Sequence, residues 1–158
     1  MFNVSASVAI DRPIEDVFAY VSDPHKQQNW QPGLYEVKPE GELHTEVRKI
    51  MGRRVAHLMK RTEYVPNQTI VYMGTGWGHE SLITTRITFF HTGKSTAVTL
   101  ELDVDTKGML KSGEPVIERL LQREIKSDLE LLKDLLEAHE DLHTAMESKF
   151  PKHSDPPR

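Results

Sequence analysis

Polar and apolar residues alternate from the start of the chain. In FNVSASVAID, Phe2, Val4, Ala6, Val8 and Ile10 fall on one side and mostly small polar residues on the other. That period of two predicts a half-buried strand. In DRPIEDVFAYVSDP the period becomes helical, with Ile14, Val17, Phe18 and Val21 forming an apolar stripe. Asp11 or Arg12 stands at the cap, Pro13 at the first helical position, and Glu15 and Asp16 in the first turn, where the helix dipole favours negative charge. DPHKQQNWQP predicts a second short helix, opened by Asp23-Pro24 and closed by Pro32-Gly33.

From Leu34 to about Thr106 the chain reads as successive strands. The breaks fall at KPEGE, at Gly52, at VPNQ, at MGTGWGHE and at HTGKST, and each supplies the Gly, Pro or Asn that a turn needs. Connections this short require antiparallel neighbours, so the segment predicts a meander of about six strands. After TKGMLKSGEP comes one long helix, from about Pro115 to Ser148, and then a polar, proline-rich tail, FPKHSDPPR, expected to fray. The expected organisation is a single domain over residues 1–149 and a disordered tail over 150–158.

These elements make an α+β fold in the order β-α-α-β6-α, a curved antiparallel sheet of about seven strands wrapped around a long C-terminal helix. A curved sheet gripping one helix leaves a space between the two, and that space is the natural ligand site.

Composition narrows the partners. The net charge of −4 and a pI near 6.1 argue against nucleic acid, which needs a basic face. With no cysteine there is no disulfide, thiol nucleophile or thiolate metal site. The first residues alternate polar and apolar, so no signal peptide is expected. No apolar run approaches the length of a membrane span, so stable membrane insertion is not expected and the default location is cytoplasmic.

Two motifs invite chemistry that their context withholds. The glycines of MGTGWGHE fall at Gly74, Gly76 and Gly78, and SLITTRITFF follows. A dinucleotide loop must open a helix, whereas that segment is rich in β-branched and aromatic residues and reads as strand. HEDLH at 139–143 matches the zinc-protease pattern H-E-x-x-H, but it sits where the long helix should fray and only fifteen residues follow to supply a third ligand. It reads as two histidines in the last turns of an amphipathic helix, so neither metal nor cofactor is expected. No G-x-S-x-G nucleophile motif is present, and acyl-enzyme chemistry has no support.

The order of elements and the wording of VAIDRPIEDVFAYVSDP, Trp30, EYVPNQTIVY and LLQREIKSDLELLKDLLE resemble the helix-grip superfamily of START and birch-pollen-allergen-like proteins, SRPBCC, in its polyketide cyclase/dehydrase and lipid-transport branch. The likeness spans about residues 2 to 138. It implies a cavity lined by the inner sheet face, the two short helices and the long helix. It carries no universal catalytic motif onto this chain. It also makes the glycine stretch a bend between central strands with Trp77 near one mouth, and puts Met109 and Leu110 near a mouth as gate residues.

Within that frame the candidate ligand contacts are Trp30 from the second helix, Met51 beside the break at Gly52, His57, Met59 and Arg61 on the strand after it, and Tyr72 and Trp77. Thr84, Arg86, Thr88 and Leu102 join them from the last strands, and Met109 and Leu110 from the loop before the long helix. Leu121, Ile125 and Asp128 come from the long helix itself. Ile117, Leu121, Ile125, Leu132, Leu135 and Leu136 fall in one sector of that helix, with Asp128 inside the sector and Glu124 at its rim. A carboxylate there bonds a backbone or faces the cavity. In RVAHLMKRTEYV, Val55, His57, Met59, Arg61 and Glu63 share one face and Ala56, Leu58, Lys60, Thr62 and Tyr64 the other, and neither is purely apolar. Methionines 51, 59, 73 and 109 suit either an adaptable pocket or ordinary core packing.

The leading expectation is binding or transport of a small hydrophobic ligand, whether lipid, polyketide or aromatic compound. The alternative is a cyclase, aromatase or dehydratase acting by acid–base chemistry, with Arg61, Arg86, Asp128 and His57 as candidate groups. The third is an interaction module with a filled core. Either a monomer or a homodimer fits.

Overall fold

The computed structural model describes residues 1–50, 52–75 and 81–149, with the side chains of all of these except 109–110 and 139–148. Its elements run β1 (Phe2–Ile10), α1 (Ile14–Ser22), α2 (Gln27–Trp30), β2 (Leu34–Glu40), β3 (Leu43–Ile50), β4 (Arg53–Val65), β5 (Thr69–Thr75), β6 (Leu82–Thr92), β7 (Ser95–Asp105), a 3-10 turn (Gly108–Gly113) and α3 (Glu114–Lys149). The seven strands form one antiparallel sheet in the order β1-β7-β6-β5-β4-β3-β2. This is the expected meander, closed by a return of the first strand to the last.

Local boundaries move by a few residues. Pro13 is the N-cap of α1 rather than its first helical residue, and no side chain caps that end. The second helix begins only at Gln27, because Asp23 Oδ1 accepts the His25 N–H at 3.0 Å and holds Asp23–Lys26 in a turn.

The concave face carries the core. Val4 and Ile10 of β1, Ile70, Ile87, Phe89, Val98 and Leu100 of the central strands, and Val17, Phe18, Val21 and Trp30 of the short helices pack together. α3 lays Ile125, Leu129, Leu132 and Leu136 onto them. Phe18 meets Phe89 and Tyr64 edge to face, with ring centroids 4.9 and 5.5 Å apart.

α3 also shields the free edge of β1. Gln122 accepts from the Ser5 N–H and donates to the Ser5 carbonyl, Lys133 donates to the Ala9 carbonyl, and Glu137 accepts from the Asp11 N–H. These bonds occupy backbone groups that would otherwise template a further strand.

β4 contains a bulge between Arg61 and Glu63. Strict alternation places Glu63 inward and Tyr64 outward. The extra residue reverses that, so Tyr64 pairs with Ile70 on the concave side while Glu63 reaches Arg86 on the convex side at 3.7 Å. Among the described residues no helix is long and apolar enough to cross a membrane.

Candidate functional site

Between the sheet and α3 lies a cavity of about 100 Å³. One wall is aliphatic, formed by Ile83 and Ile87 of β6, Leu100, Leu102 and Val104 of β7, and Leu121 and Ile125 of α3. The other is polar, and its base is β3. In LHTEVRKI, His44, Glu46, Arg48 and Ile50 alternate with Leu43, Thr45, Val47 and Lys49, and it is the charged set that points inward.

A buried charge must be paired, and Glu46 is paired three ways. His44 Nε2 lies 2.9 Å from Oε1, Gln27 Nε2 donates to the same oxygen at 2.9 Å, and Arg48 Nε donates to Oε2 at 2.7 Å. Burial alone would raise the Glu46 carboxyl, but the charge and hydrogen bonds of Arg48 and His44 outweigh it and hold the group far below the carboxylate range. Burial likewise opposes the charge on Arg48, and Glu46 more than restores it. Arg48 also donates to Gln31 Oε1 at 2.6 Å, which ties β3 to the end of α2.

Glu124 and Asp128, one turn apart on α3, face this cluster across the cavity. Neither makes a hydrogen bond to a described residue. Burial raises the Asp128 carboxyl to about 7, the neighbouring Glu124 adds to the rise, and Arg48 opposes it. Burial raises Glu124 too, again against Arg48. Gly33 sits beside this pair, and a β-carbon there would come within 2.6 Å of Glu124 Oε1. The missing side chain leaves the carboxyl room.

His57 closes the polar wall from β4. Its Nδ1–H donates to the Thr75 carbonyl at 2.8 Å, and Nε2 is buried with no partner among the described residues. Burial lowers its pKa, so the ring is neutral and Nε2 is an acceptor. Tyr72 of β5 stands beside His44, its ring edge-on at 5.0 Å and its hydroxyl pKa raised by burial.

Of the residues the sequence nominates, His57, Met59, Tyr72, Leu102, Leu121, Ile125 and Asp128 line the cavity together. Asp128 faces the cavity rather than bonding a backbone. Trp30 is buried in the core beneath α2 and does not reach the cavity. Arg61 pairs with Tyr72 on the concave side, but its guanidinium stacks 4.3 Å from the Tyr64 ring, beyond the cavity wall. Thr84, Arg86 and Thr88 lie on the convex face, because Ile83, Thr85, Ile87 and Phe89 take the inward positions of β6. Arg86 there is an exposed partner of Glu63. Met73 is also exposed on that face. Met51 and Trp77 lie outside the described residues, as do the side chains of Met109, Leu110 and 139–143 and the whole of 150–158.

The residues that periodicity missed are Gln27, Gln31, Glu46, Arg48, Ile50 and Thr85, with Ile83, Ile87, Leu100 and Val104 of the aliphatic wall. One signal was available. Three titratable residues of mixed sign at alternate positions, His44, Glu46 and Arg48, can neutralise one another on a single strand face. Among the described residues no group of three His, Asp or Glu is placed to hold a metal ion.

A curved sheet closed on one long helix around a half-apolar, half-polar cavity defines a helix-grip fold. The chain belongs to the polyketide cyclase/dehydrase and lipid transport family, whose sequence model matches residues 1–137. A search of curated proteins finds no match. Similar solved structures include TTHA0849 from Thermus thermophilus, at a TM-score of 0.74 and 19% identity, covering 87% of this chain and 99% of that one. A START superfamily protein from Mycobacterium smegmatis matches at 0.71 and 18%, covering 86% and 97%. The di-domain aromatase/cyclase StfQ of the steffimycin biosynthetic pathway matches at 0.73 and 13%, covering 88% of this chain and 52% of the larger protein. At these identities the likeness establishes the fold.

Proposed function

We propose that the protein binds a small hydrophobic ligand in the cavity between the sheet and α3. The observation that carries this reading is the division of the cavity. An aliphatic wall of seven side chains faces a polar wall whose His57 Nε2 and Asp128 carboxyl have no partner among the described residues. Apolar contacts supply affinity and a few fixed polar groups supply orientation in such a site. Its volume, about 100 Å³, is of the order of the ~150 Å³ engineered cavity that accepts benzene. A single ring or short chain fits that volume better than a multi-ring polyketide, with Met59 able to yield.

The test is a methyl NMR titration with toluene. Saturable shifts at Ile83, Ile87 and Ile125 are expected, and they should vanish in Leu121→Trp while its thermal unfolding stays cooperative. Shifts confined to surface methyls, or unaffected by Leu121→Trp, would sink the reading.

A second reading, acid–base catalysis, is favoured by the same two groups. A carboxyl raised to about 7 and a neutral imidazole in the wall of one cavity are suited to give and take a proton near neutral pH. StfQ is described as an aromatase/cyclase. Turnover of a bound substrate that is lost in both Asp128→Asn and His57→Phe, with binding retained, would support this over carriage alone.

A further inference from the structure

The polar wall of the cavity carries an excess of acidic groups, since Glu46, Glu124 and Asp128 line it against the single guanidinium of Arg48 among the described residues. His57 Nε2 has no donor among the described residues. Glu124 and Asp128 make no hydrogen bond to any described residue, and both face the same space. Among the described residues the cavity wall carries one guanidinium, that of Arg48, and it is already engaged by Glu46 and Gln31. Its charge is balanced by Glu46 before Glu124 and Asp128 are counted.

We infer that the cavity selects an uncharged ring compound bearing a hydrogen-bond donor, a hydroxyl or an aromatic amine, and excludes carboxylates and phosphates. The inference rests on the cavity being a ligand site and names what that site accepts. An O–H or N–H on the ligand meets the Glu124 and Asp128 carboxyls, which line the cavity and make no hydrogen bond to a described residue. A carboxylate or phosphate would enter beside two carboxyls set one turn apart, with no cation among the described wall residues left uncommitted to meet it. Like charges in a water-poor site repel far more strongly than in bulk. Acidic lipids, whether fatty acids or phospholipid head groups, are therefore disfavoured in this member of a family described as transporting lipids. The raised carboxyls fit this reading, since a site that already struggles to hold two negative charges has no capacity for a third.

A matched set of one-ring compounds tests it by NMR titration or calorimetry at pH 7: toluene, anisole, phenol, aniline and benzoate. Phenol or aniline should bind at least about tenfold tighter than anisole, which keeps the ring and oxygen but lacks the donor, and benzoate should not bind measurably. The order of phenol and aniline distinguishes a hydroxyl from an amine. Glu124→Leu/Asp128→Leu should bring phenol and anisole within roughly threefold of each other by removing the acceptors. The double variant Glu124→Gln/Asp128→Asn should admit benzoate while keeping phenol, which guards against misreading a folding defect in the leucine variant. Benzoate matching phenol in the parent protein, or anisole matching phenol, would overturn the inference while leaving the cavity as a ligand site. Failure of every compound, toluene included, would remove the ligand-site reading and this inference together.

Discussion

His57 of β4 donates its Nδ1–H to the carbonyl of Thr75, the last residue of β5, at 2.8 Å. That bond fixes the tautomer and leaves the ring's other nitrogen, buried and without a partner among the described residues, as a lone pair. Burial adds to the effect by disfavouring the imidazolium. Long-range proton–nitrogen spectra are therefore expected to show the Nδ1-protonated form, still neutral once an ordinary imidazole has titrated at roughly pH 6.5. A ring protonated at Nε2, or one titrating at the ordinary pH, would contradict the assignment of Nε2 as an acceptor.

Asp128 gives the protein an unusual dependence on pH. Its carboxyl is raised to about 7 in the folded state, so between its unfolded value near 3.8 and about 7 the native protein binds more protons than the unfolded chain. This contribution to stability is complete below pH 3.8 and is lost as pH rises through 7. Glu46, held low, acts the other way at acid pH, its contribution being lost as pH falls below the ordinary carboxylate range. Asp128→Asn should therefore gain on the parent from pH 5 to about pH 7 in thermal melts and level off above it. A difference that does not change with pH over that span would show the carboxyl to be ordinary.

The Glu46–Arg48 pair predicts an asymmetry between single and double variants. Removing Glu46 leaves Arg48 in the cavity wall without its counter-ion, and Glu46→Ala should cost about 3–5 kcal/mol. Replacing both, as Glu46→Leu with Arg48→Met, should recover most of that loss, because neither change strands a charge. Urea unfolding of the three proteins gives the comparison. Equal losses in the single and double variants would mean that the pair is not the source of the cost.

Two glycines face opposite consequences from one methyl group. A β-carbon on Gly74 would collide with Met59 Sδ and with the backbone carbonyl of Leu58. Gly74 pairs with Met59 across β4 and β5, so relief requires moving a strand. Gly74→Ala should cost about 1–3 kcal/mol, as overpacking does. At Gly33 the collision is only with the carboxyl end of Glu124, which can swing away. Gly33→Ala should leave stability within about 0.5 kcal/mol of the parent and act instead on binding in the cavity. Denaturation midpoints together with a phenol titration separate the two cases.

Much of the architecture was legible in the residues. The inward set of β1, the inward Val98, Leu100 and Val104 of β7, and the α3 stripe with Asp128 inside it all follow from periods of two and 3.6. The six strands after α2 followed from their turn residues. The candidate site was legible only in part. On β6, both alternating sets contain β-branched residues, so hydropathy could not choose between Thr84 and Thr85, or keep Arg86 outside. On β3, where the sequence singled out no face, the apolar Leu43 and Val47 are outward while Glu46 and Arg48 are inward.

The chain by itself determined which segments are strand or helix and which residues share a face, because period, turn chemistry and capping act over a few residues. Only the tertiary structure decided which face turns inward, where the bulge after Arg61 exchanges Glu63 for Tyr64, and that Glu46, Arg48, Glu124 and Asp128 share one space. Those outcomes depend on partners far away in sequence. A buried charge is stable only when another element supplies its counter-charge, and no local pattern records which element that will be.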